Sequence, residues 1–458
     1  MVPLAVIPQN RPRLLIPAKN FQICLCLRFG LLLAISLTPP EHSSSARKSP
    51  VQTGDLFLGA RLSLRRKIGK SVCRYGATLP NRRVSSKTLS DAVMSHFNHH
   101  MMVLARDSRG LTQSEMAELL GVGQGTVSKY EGGLSEPPMA FVEAISRLLR
   151  YQVDFFFESG RPYGMPPFHY RKRKKLSAKA LARIVAEMNI RRMHIAKFLR
   201  SFELKTNGFI PEIDRDEYIG KSRVPFSIED IARHMREQWM IPSGPVPNMV
   251  ELIEELGGIV IPCDFGSDLI DAMSQRIDGM PVLFFININS PADRMRHTLA
   301  HELGHMLLHT VSVKSDEEME DEADAFAGAF LLPASEVRPQ LRRFDLRQLM
   351  NMKGYWKVSM AAIAVRADRL NLITPYQRKS FWMEMARLGY RKREPNEPAK
   401  EAPTLLRRMV DFHVKKLGYS MSDMARLLHL TVEDFQAMYR PEIVGESGTA
   451  GSHLRVIK

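Results

Sequence analysis

Two imidazoles and a carboxylate stand together in the run His301-Glu302-Leu303-Gly304-His305. On a helix, rings at i and i+4 project from nearly the same side, so His301 and His305 can reach one cation. Imidazole donors with an open coordination position favour Zn2+, with another divalent metal as the alternative, and such an ion brings deprotonation of water close to neutral pH. Glu302 is then beside the ion as a general base, and the chemistry indicated is peptide-bond hydrolysis. Five residues alone are also what an amphipathic helix with two hydrogen-bonded histidines would show. A third ligand has to come from another element.

The segment from Asp293 to His309 lacks Gly and Pro apart from Gly304 and carries Leu299, Met306 and Leu307 at helical spacing, which predicts a helix. His309 lies on it about 12 Å along the axis from His301, beyond the reach of zinc–ligand bonds of about 2 Å. Asp316 to Leu332 reads as a second helix, opened by an acidic turn and stopped by Pro333. Glu318, Glu322, Phe326 and Phe330 form one i, i+4 stripe, and burial of the two phenylalanines carries Glu322 against the first helix. Glu318, nearer the loop, ranks second. Glu317, Asp321 and Asp324 fall off the stripe and point to solvent.

Together the stretches Arg296 to His309, Glu322-Ala-Asp-Ala-Phe-Ala327 and Leu331-Leu-Pro333 resemble the ImmA/IrrE family of metallo-endopeptidases, over about Ser227 to Gln340. The resemblance implies His301, His305 and Glu322 as metal ligands and Glu302 as the general base. It also implies limited cleavage of a regulatory protein, typically a repressor, in stress response or mobile-element control. His297 departs from the Phe more usual at its position. Asp324 is either an acceptor for a ligand imidazole or an exposed helix carboxylate. Upstream, Gly258-Ile-Val-Ile-Pro262 and Pro281 to Asn287 read as strands of a small sheet, whose edge could pair with an extended peptide.

A second motif lies between Leu111 and Glu131. Thr112 and Glu115 make a capping box, and Gly121 joins two short helices. Ala117, Leu120, Val122, Val127 and Tyr130 supply a shared core, leaving Gln124, Thr126, Ser128 and Lys129 as polar candidates for base edges or phosphates. Met94 to Phe157 resembles the phage-repressor-like (Xre) DNA-binding domain. This implies five helices, a backbone contact from Gln113, a double-stranded DNA operator and, for a two-fold operator, a homodimer. Gly123 stands where a side-chain cap is common, and Gly125 interrupts the recognition helix at a cost of about 1 kcal/mol relative to Ala.

Charge is unevenly spread. The chain carries a formal +16, of which residues 1–93 supply +12, from 15 Lys or Arg against Glu41, Asp55 and Asp91. Residues 94–158 hold 5 basic and 8 acidic side chains, so DNA binding there must use a local basic face. Residues 159–205 hold 13 basic residues against Glu187 and Glu203, including the run Arg171 to Lys175, and read as a basic linker leading into a Ser177 to Leu199 helix.

The apolar run Ile23 to Leu37 is only 15 residues long and broken by Arg28, too short to span a bilayer. Residues 1–93 read as an upstream segment preceding a start at Met94, Met101 or Met102, or as a disordered basic tail; a signal peptide cleaved near Ser44 to Ala46 would separate the DNA-binding module from DNA. Cys263 is the only thiol beyond Cys24, Cys26 and Cys73, in keeping with a reducing cytoplasm.

The expected architecture is mainly α with a small β-sheet (α+β). It comprises a doubtful segment at 1–93, a helix-turn-helix domain at 94–158, a linker and helix at 159–225, a zincin-like metallopeptidase at 226–340 and a helical C-terminal region at 341–458. In the last region, Ser420 to Asp423 and Thr431 to Asp434 start two short helices, taken as a packing element because Glu433 and Asp434 put acid where a DNA reader needs base. The expected function is a cytoplasmic DNA-binding regulator carrying a zinc endopeptidase. A regulator whose peptidase-like domain only senses a metal or ligand is the alternative.

Overall fold

The computed structural model describes residues 96–160, 162, 176–213, 227–267, 269–309 and 314–439. Residues 1–93, the run Arg171 to Lys175 and the tail from Gly445 lie outside them.

Four α-helices and a 3₁₀ turn open the described chain: α1 His99–Ser108, α2 Gln113–Leu120, α3 Gln124–Glu131, α4 Met139–Leu149 and the turn Val153–Phe157. The five expected helical segments are present, the fifth as 3₁₀. Thr112 and Glu115 form the reciprocal capping box of α2, and Gly121 ends that helix at φ 66°, a left-handed conformation that favours glycine. Next come α5 Ala178–Leu199, α6 Ile228–Gln238 and α7 Met249–Glu255. Three strands follow, β1 Ile259–Cys263, β2 Ala272–Gln275 and β3 Leu283–Asn287. The rest is helical: α8 Ala292–Leu308, α9 Asp316–Leu331, α10 Ala334–Gln340, α11 Leu346–Trp356, α12 Met360–Arg369, α13 Pro375–Arg387, α14 Leu405–Lys415, α15 Met421–Leu427 and α16 Val432–Tyr439.

Strand order is β1-β3-β2, with β1 parallel and β2 antiparallel to β3. Because side chains alternate across a sheet, its two faces feed two different cores. Val260, Ala272, Phe284 and Ile286 pack with α6 to α9 and α11 to α13. Ile259, Ile261, Met273, Leu283 and Phe285 pack with α1 to α5 and α14 to α16. The sheet is therefore a wall between two cores, buried on both sides, which is why β1 and β3 read as continuous apolar runs.

The C-terminal region divides between these cores. Helices α11 to α13 complete the first, whereas α14 to α16 return to the helix-turn-helix. Asp434 meets Arg109 at 2.8 Å and Arg150 at 3.0 Å, and Gln152 donates to the carbonyl of Leu430 at 2.8 Å. The acid on α16 thus faces inward, toward cations of the repressor-like domain. Helix α5 is a buried strut along the same core, with Ile184, Ile190, Ile195 and Phe198 enclosed.

Candidate metal centre and nucleic-acid interface

Helix α8 brings the Nε2 atoms of His301 and His305 to 3.0 Å. The carboxylate facing them belongs to Glu320 of α9, with Oε2 3.7 Å from His301 Nε2 and Oε1 3.4 Å from His305 Nε2. These three ligand atoms lie within 4.8 Å of one another. Donors bound tetrahedrally at about 2.0–2.2 Å sit roughly 3.3–3.6 Å apart, so two imidazoles and a carboxylate so placed fit a divalent ion with small adjustment.

Glu322, the expected third ligand, is turned elsewhere. It accepts from His309 Nε2 at 3.1 Å and from Lys314 Nζ at 2.5 Å. Glu318, the second choice, closes the capping box of α9 with Ser315. The cause is the position of the buried stripe. Extending it backwards from Phe326 and Phe330 in steps of four leads to Glu322, but the buried face of α9 comprises Met319, Ala323, Phe326, Ala327 and Phe330. At about 100° per residue, Glu320 and Glu322 are about 160° apart and flank that face on opposite edges.

Small residues let the two helices approach closely. A Cβ on Gly304 would stand 3.1 Å from the Phe326 ring and 3.3 Å from Ala323 Cα. The sequence signal for Glu320 was its i, i+4 partner Asp324: one face of α9 carries both, and both reach α8.

Asp324 accepts from His301 Nδ1 at 2.7 Å while its side chain stays exposed on α9, so it is at once an acceptor for a candidate ligand imidazole and an exposed helix carboxylate. A proton on Nδ1 leaves the lone pair on Nε2, where a metal needs it. Partial desolvation raises the Asp324 carboxyl, yet the hydrogen bond and charge of His301 outweigh it and hold the group down at about 2. Burial pushes the His305 imidazole down, and that of His309 to about 4, so both favour the neutral form. His309 Nδ1 lies 2.9 Å from His305 Nδ1; it supports a candidate ligand without facing the site.

Glu302 is fully buried, and its Oε2 accepts from Ser274 Oγ at 2.7 Å. Ser274 lies on β2, the edge strand nearest α8, which carries no strand signal in the sequence because Ala272-Met-Ser-Gln275 lacks a β-branched run. The alternation that sends Met273 to the far core turns Ser274 toward Glu302.

Residues 253–368 match the model of the IrrE N-terminal-like domain. The chain carries an IrrE N-terminal-like domain. Its span runs from α7 to α12, so the sheet, the candidate metal ligands, Glu302 and Asp324 all belong to it. Residues 104–156 match a helix-turn-helix model, and comparison with curated proteins and with solved structures gave no match. A DNA-binding module thus precedes the IrrE-like domain, and among the described residues no helix is long and apolar enough to cross a membrane.

In the helix-turn-helix, Gln124 and Lys129 of α3 are exposed, Thr126 and Ser128 are half-buried, and Val127 is buried. Gln113, expected at the DNA backbone, accepts from Gln124 Nε2 at 2.8 Å and donates to Glu131 Oε2 at 2.8 Å. Arg106 grips the same Glu131 carboxylate at 2.6 and 3.0 Å. This chain of side chains fixes α3 against α1 and α2. Gly123 provides no side-chain cap, and open space surrounds Gly125, but the helix forms through both.

Proposed function

We propose that this protein is a cytoplasmic DNA-binding regulator whose IrrE-like domain is a zinc-dependent endopeptidase making a limited cut in another regulatory protein. The observation that carries this reading is the convergence of His301, His305 and Glu320 on one point, with Glu302 on the same helix. His301, His305 and Glu320 would hold the ion, in place of the expected set ending in Glu322. When bound, it supplies Lewis acidity toward water and the scissile carbonyl. Glu302, oriented by Ser274, takes the proton of the attacking water and delivers it to the departing amine. Asp324 holds the Nδ1 proton of His301, and the dry, closely packed seam of α8 and α9 keeps the three donors in place. On the other side of the sheet, Gln124, Thr126, Ser128 and Lys129 of α3 enter the major groove, with Gln113 at its rim, and a two-fold operator would be bound by a homodimer.

A repressor is the substrate class that the family resemblance implies, and delivery to DNA would bring the peptidase to one already bound there. Glu302→Gln is the test. The variant should bind zinc as the parent does while cleavage of the repressor, and any induction that depends on it, falls by about 10²–10⁴-fold. Unchanged induction in that variant would favour the non-catalytic sensor instead.

A further inference from the structure

One helical turn from the candidate metal centre, α8, α9, α12 and α13 and the segment 390–397 line an open pocket of about 600 Å³, within the range of small-molecule sites. His297 and Asp324 line it, but Glu302 projects about 140° around α8 from His297, so the cavity and the reacting carboxylate occupy different faces of the helix.

The carboxylates on its wall are already engaged. Asp324 is held by His301, Asp293 and Glu394 by the buried Lys353, and Glu397 by Arg393 and the N–H of Ala292. Arg391 and Lys392 on the wall are not matched in this way, and Arg369 meets Asp324 only through its charge. Arg369 and Arg391 donate to the main-chain carbonyls of Asp321 and Trp382. Among the described residues neither they nor Lys392 has a carboxylate in ion-pair contact. Arg391 also lies 5.9 Å from the centroid of the Trp382 ring, and Trp382, Tyr390 and Val365 give the same wall flat and apolar surface.

The geometry points to a binding site for a small organic anion, its planar body against Trp382 and its phosphate or carboxylate on Arg369, Arg391 and Lys392. Guanidinium groups and an aromatic face recognise such a molecule through charge-assisted hydrogen bonds and stacking. The site does not depend on the peptidase reading, because no metal ligand or general base lines it.

Calorimetric titration of the metal-free full chain tests this with 1-naphthyl phosphate, 1-naphthoate and neutral 1-naphthol as probes. At least one anion should saturate one site while 1-naphthol binds at least about tenfold more weakly, a difference of about 1.4 kcal/mol; whichever anion binds more tightly identifies the headgroup. The exposed pair Arg391→Glu and Lys392→Glu should abolish that selectivity, and Val365→Trp, which fills the cavity without altering charge, should block both anions. Absence of saturation with either anion, equal affinity for 1-naphthol, or anion binding untouched by both variants would overturn the assignment.

Discussion

Two helix pairs hold the candidate functional residues of this chain, and they treat solvent in opposite ways. The α2–α3 pair buries a thin apolar seam and leaves Gln124 and Lys129 in water, as the proposed contacts to base edges and phosphates require. The α8–α9 pair encloses His301, Glu302 and His305, as the proposed metal centre requires. The outward-facing pair tolerates an uncapped start and Gly125. The inward-facing pair depends on Gly304, where a single methyl group would meet Phe326 and Ala323.

The sharpest way to break that contrast is to remove donors one at a time. His305→Ala and Glu320→Ala should eliminate stoichiometric zinc binding in equilibrium dialysis, whereas Glu322→Ala should retain it; the reverse order for the two glutamates would restore the ligand set implied by the family resemblance. Asp324→Asn comes next. Losing the acceptor that orients a ligand histidine typically costs about 10- to 100-fold in metal affinity, measurable by competition with a chromogenic chelator, while DNA binding in a mobility-shift assay should not change.

A third prediction concerns the contact between the helix-turn-helix and the C-terminal helices. The His429 hydrogen bond, with Lys197 beside it, holds the Glu158 carboxyl at about 2 despite burial. A depressed carboxylate stabilises the fold above its unfolded value and loses that contribution as pH falls through the folded one. Glu158→Gln should therefore cost on the order of 1 kcal/mol above about pH 4.5, discounted for partial exposure, and the gap between variant and parent in urea denaturation should close as the pH approaches 2. The smallest effect belongs to Lys129→Ala, which should reduce the slope of log affinity for DNA against log salt by about 1 with no change in zinc binding.

Much of this was legible in the order of residues. The capping box at Thr112, the acidic first turn of α9, the apolar runs of β1 and β3, and the His-Glu-Leu-Gly-His spacing are local signals, and each produced the expected element. Glu320 was not legible in the same way. Its selection over Glu322 depends on which edge of α9 meets α8, and a shift of the buried stripe toward Ala323 and Ala327 reverses the choice. Strand β2 escaped because four residues without β-branching derive their conformation from pairing with β3.

By itself, the sequence determined the two motifs, their helices and the donors available to each, since capping, periodicity and ligand chemistry operate within a turn or two of the chain. Tertiary structure decided which carboxylate faces the histidines, which hydroxyl orients Glu302, and that one three-stranded wall serves both cores. Those outcomes follow from how closely α9 can approach α8 and from the alternation of side chains across a sheet buried on both faces, and neither is a property of any one segment.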